Sequence, residues 1–270
     1  MVDTIQRLSA DSMVRLGDSG LSTTLLGMGT GTRAWDQDSA QIRRGRDTFV
    51  STLIHAYECG LRYYDLADLY GSHQFMRDAM REAKLPREEL TLLTKTMARE
   101  PEELRKHLDR FRKEVDTDYF DIVLLHGLGR GYWDEKLAGC MDELSKAKEE
   151  GIVRACGVSC HNLDAMKTAA DCDWVDVMLS RINPFGVKMD GTPEEVREVL
   201  ETAHANGKGM LGMKIMGDGE IAEKRAESLQ YVLGLECIDA ITIGFLNSGE
   251  IDDAIGHIDD ALERLDDAET

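Results

Sequence analysis

Short β-type runs and longer helical segments alternate eight times along this chain, and no other feature restricts its fold as strongly. The runs lie at 24–28, 61–64, 90–94, 119–125, 153–158, 175–179, 209–213 and 238–243. Helical segments follow them at about 45–59, 72–84, 101–114, 134–149, 162–170, 193–205, 221–233 and 249–265. The punctuation agrees. Glu-Pro-Glu-Glu at 100–103 and Thr-Pro-Glu-Glu at 192–195 put proline and acids in a first helical turn, where a fixed φ and the helix dipole suit them. Gly60, Gly151 and Gly207 stand just past helix ends, as C-terminal caps should. Eight such units with no Pro/Gly/Ser-rich linker predict one α/β domain over residues 1–270, a closed parallel (β/α)8 TIM barrel. A doubly wound open sheet would carry G-x-G-x-x-G after its first strand, and Gly27-Met-Gly-Thr-Gly lacks that spacing. Residues 8–23 form two short runs around Gly17-Asp18, which predicts a β-hairpin ahead of the barrel, plugging its N-terminal end.

Composition narrows the function classes. Among 270 residues, 51 Asp+Glu against 32 Lys+Arg give a net charge of −19, a field that repels nucleic acid. The longest apolar run inside an expected strand is 122–125, far short of the ~20 residues a membrane span needs. The first twenty residues carry charges and no apolar block, so no secretory signal is expected and the location reads as cytoplasmic. The six cysteines (Cys59, Cys140, Cys156, Cys160, Cys172 and Cys237) include no C-x-x-C pair and read as reduced thiols. Cys160, His161 and Cys172 invite a metal, but their spacing fits no zinc framework, and none is expected. The acids of the last helical segment occupy the face opposite Ile251, Ile255, Ile258 and Leu262, as on a solvated helix. Composition leaves the oligomeric state open.

In such a barrel the chemistry comes from strand C-termini and the loops behind them. Asp65, Lys95 and His126 close three successive expected strands, 30 and 31 residues apart, and Tyr70 follows Asp65 on its loop. Singly, each has a structural reading: a rim ion pair for Asp65 and Lys95, a core imidazole, a packed loop aromatic. Together they make a cluster with one chemical use. Tyrosine, with a pKa of about 10, exchanges protons poorly at neutral pH. An adjacent ammonium stabilises tyrosinate and a histidine adds a hydrogen-bond donor, so the phenol can serve a carbonyl or alcohol oxygen.

These residues sit in stretches that resemble the aldo-keto reductases. The resemblance runs through R-L-G-D-S-G-L-S at 15–22, L-L-G-M-G-T-G at 25–31, G-L-R-Y-Y-D-L-A-D-L-Y-G at 60–71, L-T-L-L-T-K-T at 90–96, D-Y-F-D-I-V-L-L-H at 118–126 and G-I-V-R-A-C-G-V-S at 151–159. It implies a catalytic tetrad of Asp65, Tyr70, Lys95 and His126. It also implies NADP or NAD bound in extended form across the barrel mouth. The family's G-V-S-N reads G-V-S-C here, leaving Ser159 and putting Cys160 in place of the amide. The aromatic that stacks on the nicotinamide in many members falls on Met213, followed by Lys214. Gly29 and Thr30 close the first strand beside the cofactor. I-T-I-G-F-L-N-S-G-E at 241–250 occupies the place of the adenosine-phosphate motif without its arginine, although Ser248 and Gly249 offer helix N-terminal amides. No C-terminal substrate loop is expected after the last helix.

Trp35, Tyr132 and Trp133 are the candidate substrate contacts, and Asn183-Pro184-Phe185-Gly186 is expected to shape the mouth. The reading is an oxidoreductase that passes hydride between NAD(P)H and a small carbonyl or alcohol substrate, with Tyr70 as the general acid or base. The alternative is a barrel that keeps the cofactor site as a redox sensor or scaffold without turnover. A non-redox lyase or isomerase using Tyr70 and Lys95 is a third.

Overall fold

Residues 8–269 are described by the structure, a computed structural model. Strands β1 (Met13–Arg15) and β2 (Ser22–Thr24) pair antiparallel as the expected hairpin. Then β3 (Leu26–Gly29), β4 (Tyr63–Asp65), β5 (Thr91–Thr96), β6 (Phe120–Leu128), β7 (Val153–Cys160), β8 (Val177–Arg181), β9 (Gly209–Met213) and β10 (Ala240–Gly244) form a parallel barrel. It closes because β10 pairs with both β9 and β3. The fold is therefore a (β/α)8 barrel with an N-terminal hairpin.

Helices α1 (Arg46–Glu58), α2 (His73–Ala83), α3 (Pro101–Val115), α4 (Trp133–Lys136), α5 (Ala138–Glu149), α6 (Leu163–Asp171), α7 (Pro193–Ala205), α8 (Arg225–Leu233) and α9 (Ser248–Glu269) lie between and after the strands. The helix expected at 134–149 divides at Leu137, whose φ of −107° and ψ of 15° are not helical. The helix expected from 221 begins as a 3-10 turn and becomes regular only at Arg225. Two strands run further than their apolar patterns, β6 to Leu128 and β7 to Cys160. Near their ends His126 pairs opposite Ser159, although neither reads as a strand former.

Alternation along the strands separates two cores. Tyr63, Leu93, Leu124, Leu179 and Leu211 fill the barrel interior. Their neighbours Tyr64, Leu92, Val123, Leu125, Met178 and Met210 face the helices. Each fully buried leucine contributes about 1.5–3 kcal/mol. The same period sets up the mouth, because the residue two beyond an inner apolar one points inward at the C-terminal rim. Tyr63 leads to Asp65, Leu93 to Lys95, Leu124 to His126, Leu179 to Arg181 and Leu211 to Met213. Gly27 is required within this layer, since a Cβ there would lie 2.1 Å from the Tyr63 ring.

The hairpin closes the opposite end. Leu16 is wholly buried among the inner residues. The Gly17 amide donates to Asp239 Oδ2 at 3.2 Å, and the Asp18 amide to the Gly207 carbonyl at 2.7 Å. The six cysteines are free thiols. Among the described residues no helix is long and apolar enough to cross a membrane.

Candidate active site

The strand ends bring Asp65, Lys95 and His126 to the mouth, and the turn after β4 returns Tyr70 to them. Lys95 is wholly buried and forms an ion pair with Asp65. Its ammonium also donates to the Leu66 carbonyl at 3.2 Å and to the Tyr70 hydroxyl at 3.3 Å. Those three acceptors take its three protons, leaving the phenolic proton of Tyr70 free for another partner. The Tyr70 and His126 rings meet edge-on with centroids 5.8 Å apart. His126 is buried, and its Nδ1 has no hydrogen-bond partner among the described residues.

Burial would push the Lys95 ammonium down, but Asp65 and Tyr70 together outweigh it and hold it above its ordinary value. Burial raises the Tyr70 phenol and Lys95 pulls it back, with a net upward shift. The expected depression by Lys95 is thus present but outweighed by desolvation. Burial first, and then Lys95, drive His126 well below the usual imidazole range, so it is neutral at pH 7. The cluster therefore holds one locked ion pair, one protonated phenol and one neutral imidazole.

A cleft of about 440 Å³, within the range of small-molecule sites, runs from Asp65 and Tyr70 past Met213 to the start of α9. The glycines after β3 shape it. Gly29 and Gly31 line it, and a Cβ on Gly31 would lie 2.4 Å from the Tyr70 ring, so only glycine lets the phenol sit there. Thr30 is buried behind the cleft, its hydroxyl 2.8 Å from both the Asp65 carbonyl and the Ser72 hydroxyl, bracing the turn that carries Tyr70. Met213 and Lys214 both line the cleft, and Lys214 Nζ is 2.7 Å from Asp218 Oδ1. Asn183 ties this wall to the loop after β8, its amide donating to the carbonyls of Lys214 and Val187.

Ser159 and Cys160 part company. Ser159 lies opposite His126, buried, with no partner for its Oγ among the described residues. The Cys160 side chain is wholly buried in the outer apolar layer with Val158 and Met178, and burial raises its thiol. It stands on the face of β7 turned away from the mouth. Ser248 and Gly249 open α9 and do not line the cleft, although Leu246 and Glu250 do. The Glu250 carboxylate accepts from the Leu246 amide at 2.8 Å and so already occupies this helix start.

The three aromatic candidates are dispersed. Trp35 and Tyr132 are each 75% exposed. Trp133 is buried and donates from Nε1 to the Ala165 carbonyl at 3.0 Å, pinning α4 to α6. Sequence reasoning missed Gly31, Arg33, Asp218 and Arg225, all of which line the cleft. Gly31 was legible in the G-x-G-x-G run at 27–31. The charged three come from loops and helix starts, where no period marks a direction.

The residues present suit a nicotinamide dinucleotide. The unpartnered Ser159 hydroxyl and the Met213 side chain stand at the tetrad end, and backbone at Gly29, Gly31 and Gly244 lines the cleft beyond.

The sequence pattern of the Aldo/keto reductase family matches residues 26–235. The L-galactose dehydrogenase of Arabidopsis thaliana is 25% identical over 221 residues, 77% of this chain and 66% of that protein. The methylglyoxal reductase DkgB of Salmonella typhi is 29% identical over 166 residues, 60% of this chain and 59% of that protein. The chain spans less than two thirds of the length of these two relatives. An aldo-keto reductase from Bacillus halodurans, solved in its holo form, shares the fold with a TM-score of 0.75 over 94% of this chain and 96% of that one, at 17% identity. The family pattern spans the barrel from its first strand past α8, taking in all four clustered residues of the mouth, and the chain belongs to the aldo/keto reductase family.

Proposed function

We propose that the protein is an NAD(P)H-dependent oxidoreductase that interconverts a small carbonyl compound and its alcohol. The observation that carries this reading is the Lys95 ammonium, paired with Asp65 and bonded to a Tyr70 hydroxyl whose own proton is unspent. When bound, the nicotinamide supplies the hydride. Ser159 and Met213 would hold its ring end, with Lys214 and the β3 glycines along the dinucleotide. Tyr70 gives its proton to the carbonyl oxygen as charge develops there, and Lys95 stabilises the phenolate left behind. Asp65 fixes Lys95, and neutral His126 orients the oxygen by donating from its ring. Reversal of the same steps oxidises an alcohol. Such a step contributes about 10²–10⁴-fold to the rate.

The test offers NADH and NADPH separately with a panel of aldehydes, ketones and sugars, following reduced-nicotinamide absorbance, alongside Tyr70→Phe. The reading expects turnover in the wild type and a loss of kcat of about 10²–10⁴-fold in the variant, with cofactor affinity kept. Cofactor binding without turnover across the whole panel would instead support a sensor or scaffold. Wild-type kcat in Tyr70→Phe would remove Tyr70 from its role.

A further inference from the structure

Away from the mouth, the first and last helices of the ring meet at three side chains of types that bind metals. His55 lies in the last turn of α1, and Cys59 follows the helix end with its amide still bonded to the His55 carbonyl at 2.9 Å. The i,i+4 spacing puts both on one helix face. Asp252 comes from the second turn of α9. His55 Nε2 is 2.7 Å from Asp252 Oδ1 and 3.4 Å from Cys59 Sγ, and Sγ is 3.7 Å from Oδ1.

Two uses compete for a Cys, a His and an Asp in contact. A nucleophilic relay needs the thiol on one ring nitrogen and the carboxylate on the other. Here thiol and carboxylate both approach Nε2, so no relay can run through the ring. A cation needs what is present, which is three ligand atoms that all lie within 4.8 Å of one another. Tetrahedral zinc, with bonds of about 2.0–2.3 Å, separates its ligands by roughly 3.3–3.6 Å. Two of the three edges lie within about 0.2 Å of that range, and the third opens when the Asp252 carboxylate, 61% exposed, rotates. The other ring nitrogen, His55 Nδ1, lies 3.8 Å from Glu58 Oε2, beyond hydrogen-bond distance but near enough for that carboxylate to turn toward a metal-bound imidazole.

We propose that His55, Cys59 and Asp252 form a binding site for zinc or a similar borderline-soft divalent cation, clipping α1 to α9. Solvent completes the coordination sphere. Binding expels the Cys59 thiol proton to solvent and takes His55 through Nε2, which leaves the ring proton on Nδ1, on the side of Glu58. Affinity therefore rises with pH. The mixed thiolate, imidazole and carboxylate set excludes magnesium and calcium, which take oxygen ligands.

The test titrates the tag-free, metal-stripped full chain with Zn²⁺ by calorimetry and with Co²⁺ by absorbance, against Cys59→Ser and Asp252→Asn. One zinc per chain is expected, with a higher Tm, and cobalt should give a thiolate-to-metal charge-transfer band in the near ultraviolet. Cys59→Ser should lose that band, and Asp252→Asn should bind at least about tenfold more weakly. Absence of zinc binding overturns the proposal, as does a band or affinity unchanged in both variants, which would place the metal on other residues. Should Cys59→Ser misfold, the wild-type cobalt spectrum decides alone: without a thiolate band, Cys59 is not a ligand.

Discussion

Arg110 of α3 binds Asp68 at 2.8 Å, and Asp68 stands two residues before Tyr70 in the same turn. Arg110 also reaches Glu114 at 3.0 Å. Glu114 holds His73 Nδ1 at 2.8 Å, and His73 Nε2 lies 2.8 Å from the hydroxyl of Thr94, the residue before Lys95. One polar chain thus braces both the phenol's turn and the lysine's strand. Arg110→Met should loosen the phenol by about 1 kcal/mol, lowering kcat about fivefold with little change in KM. Steady-state kinetics with unaltered far-UV dichroism would check this, and a fall confined to KM would contradict it.

Lys95→Met strands Asp65 in the barrel mouth without its partner. Losing one member of a buried pair costs about 3–5 kcal/mol, so urea unfolding should detect a large loss. The phenol would then feel burial without the opposing ammonium, and its pKa should rise further above the wild-type position. The pH dependence of residual kcat/KM should shift to higher pH. An unshifted profile would show that Lys95 and Tyr70 are not coupled.

The architecture and three of the four clustered residues were legible because both rest on periodicity. Strand and helix signals repeat, and inward residues recur every second position, so Asp65, Lys95 and His126 could be placed at strand ends by counting. What lay beyond counting came out less well. Cys160 follows Ser159 directly, and adjacent strand residues point to opposite faces, which puts its thiol in the outer layer. Trp133 reads as a loop aromatic, yet its indole is buried against α6. Arg225 reaches the cleft from the start of α8, where no sequence pattern fixes a side-chain direction.

Cofactor preference should turn on Arg225. It lines the far end of the cleft but is already paired with Asp253, and Glu250 adds negative charge to the same wall. Discrimination for a 2′-phosphate should therefore be small or reversed in the wild type. Asp253→Asn frees the guanidinium, and a charge-assisted contact of about 1.5–3 kcal/mol corresponds to roughly ten- to a hundredfold tighter NADPH binding. Dissociation constants for both cofactors at low ionic strength test this. An NADPH preference that stays fixed in the variant would move the phosphate elsewhere.

Acid should weaken the fold through His161. Its ring meets that of His126 edge-on at 5.7 Å, and burial, then Arg181 and Lys214, bring its pKa down to about 4. The unfolded chain takes up this proton near pH 6.5, and the folded chain only near 4. In that window the unfolded state binds more protons, so stability falls as pH falls, by at most about 3 kcal/mol. Unfolding free energies of His161→Gln should decline less between pH 6.5 and 4 than those of the wild type. Parallel curves would contradict the assignment.

Leu16→Ala should cost about 2–5 kcal/mol, the usual penalty for emptying a leucine site in a packed interior. The loss should appear in Tm with kcat unchanged at permissive temperature, because Leu16 sits at the end of the barrel opposite the tetrad.

That opposition gives the molecule a front and a back. The turn of the hairpin carries Gly20 at a φ of +77° with open space around it, on the side away from the cleft. A tether attached there would stand the barrel upright on an electrode or bead with every mouth facing the liquid. Attachment through lysines spread over the helices would leave a share of mouths against the support. The same asymmetry that seals the core thus makes the protein self-orienting when held by its hairpin.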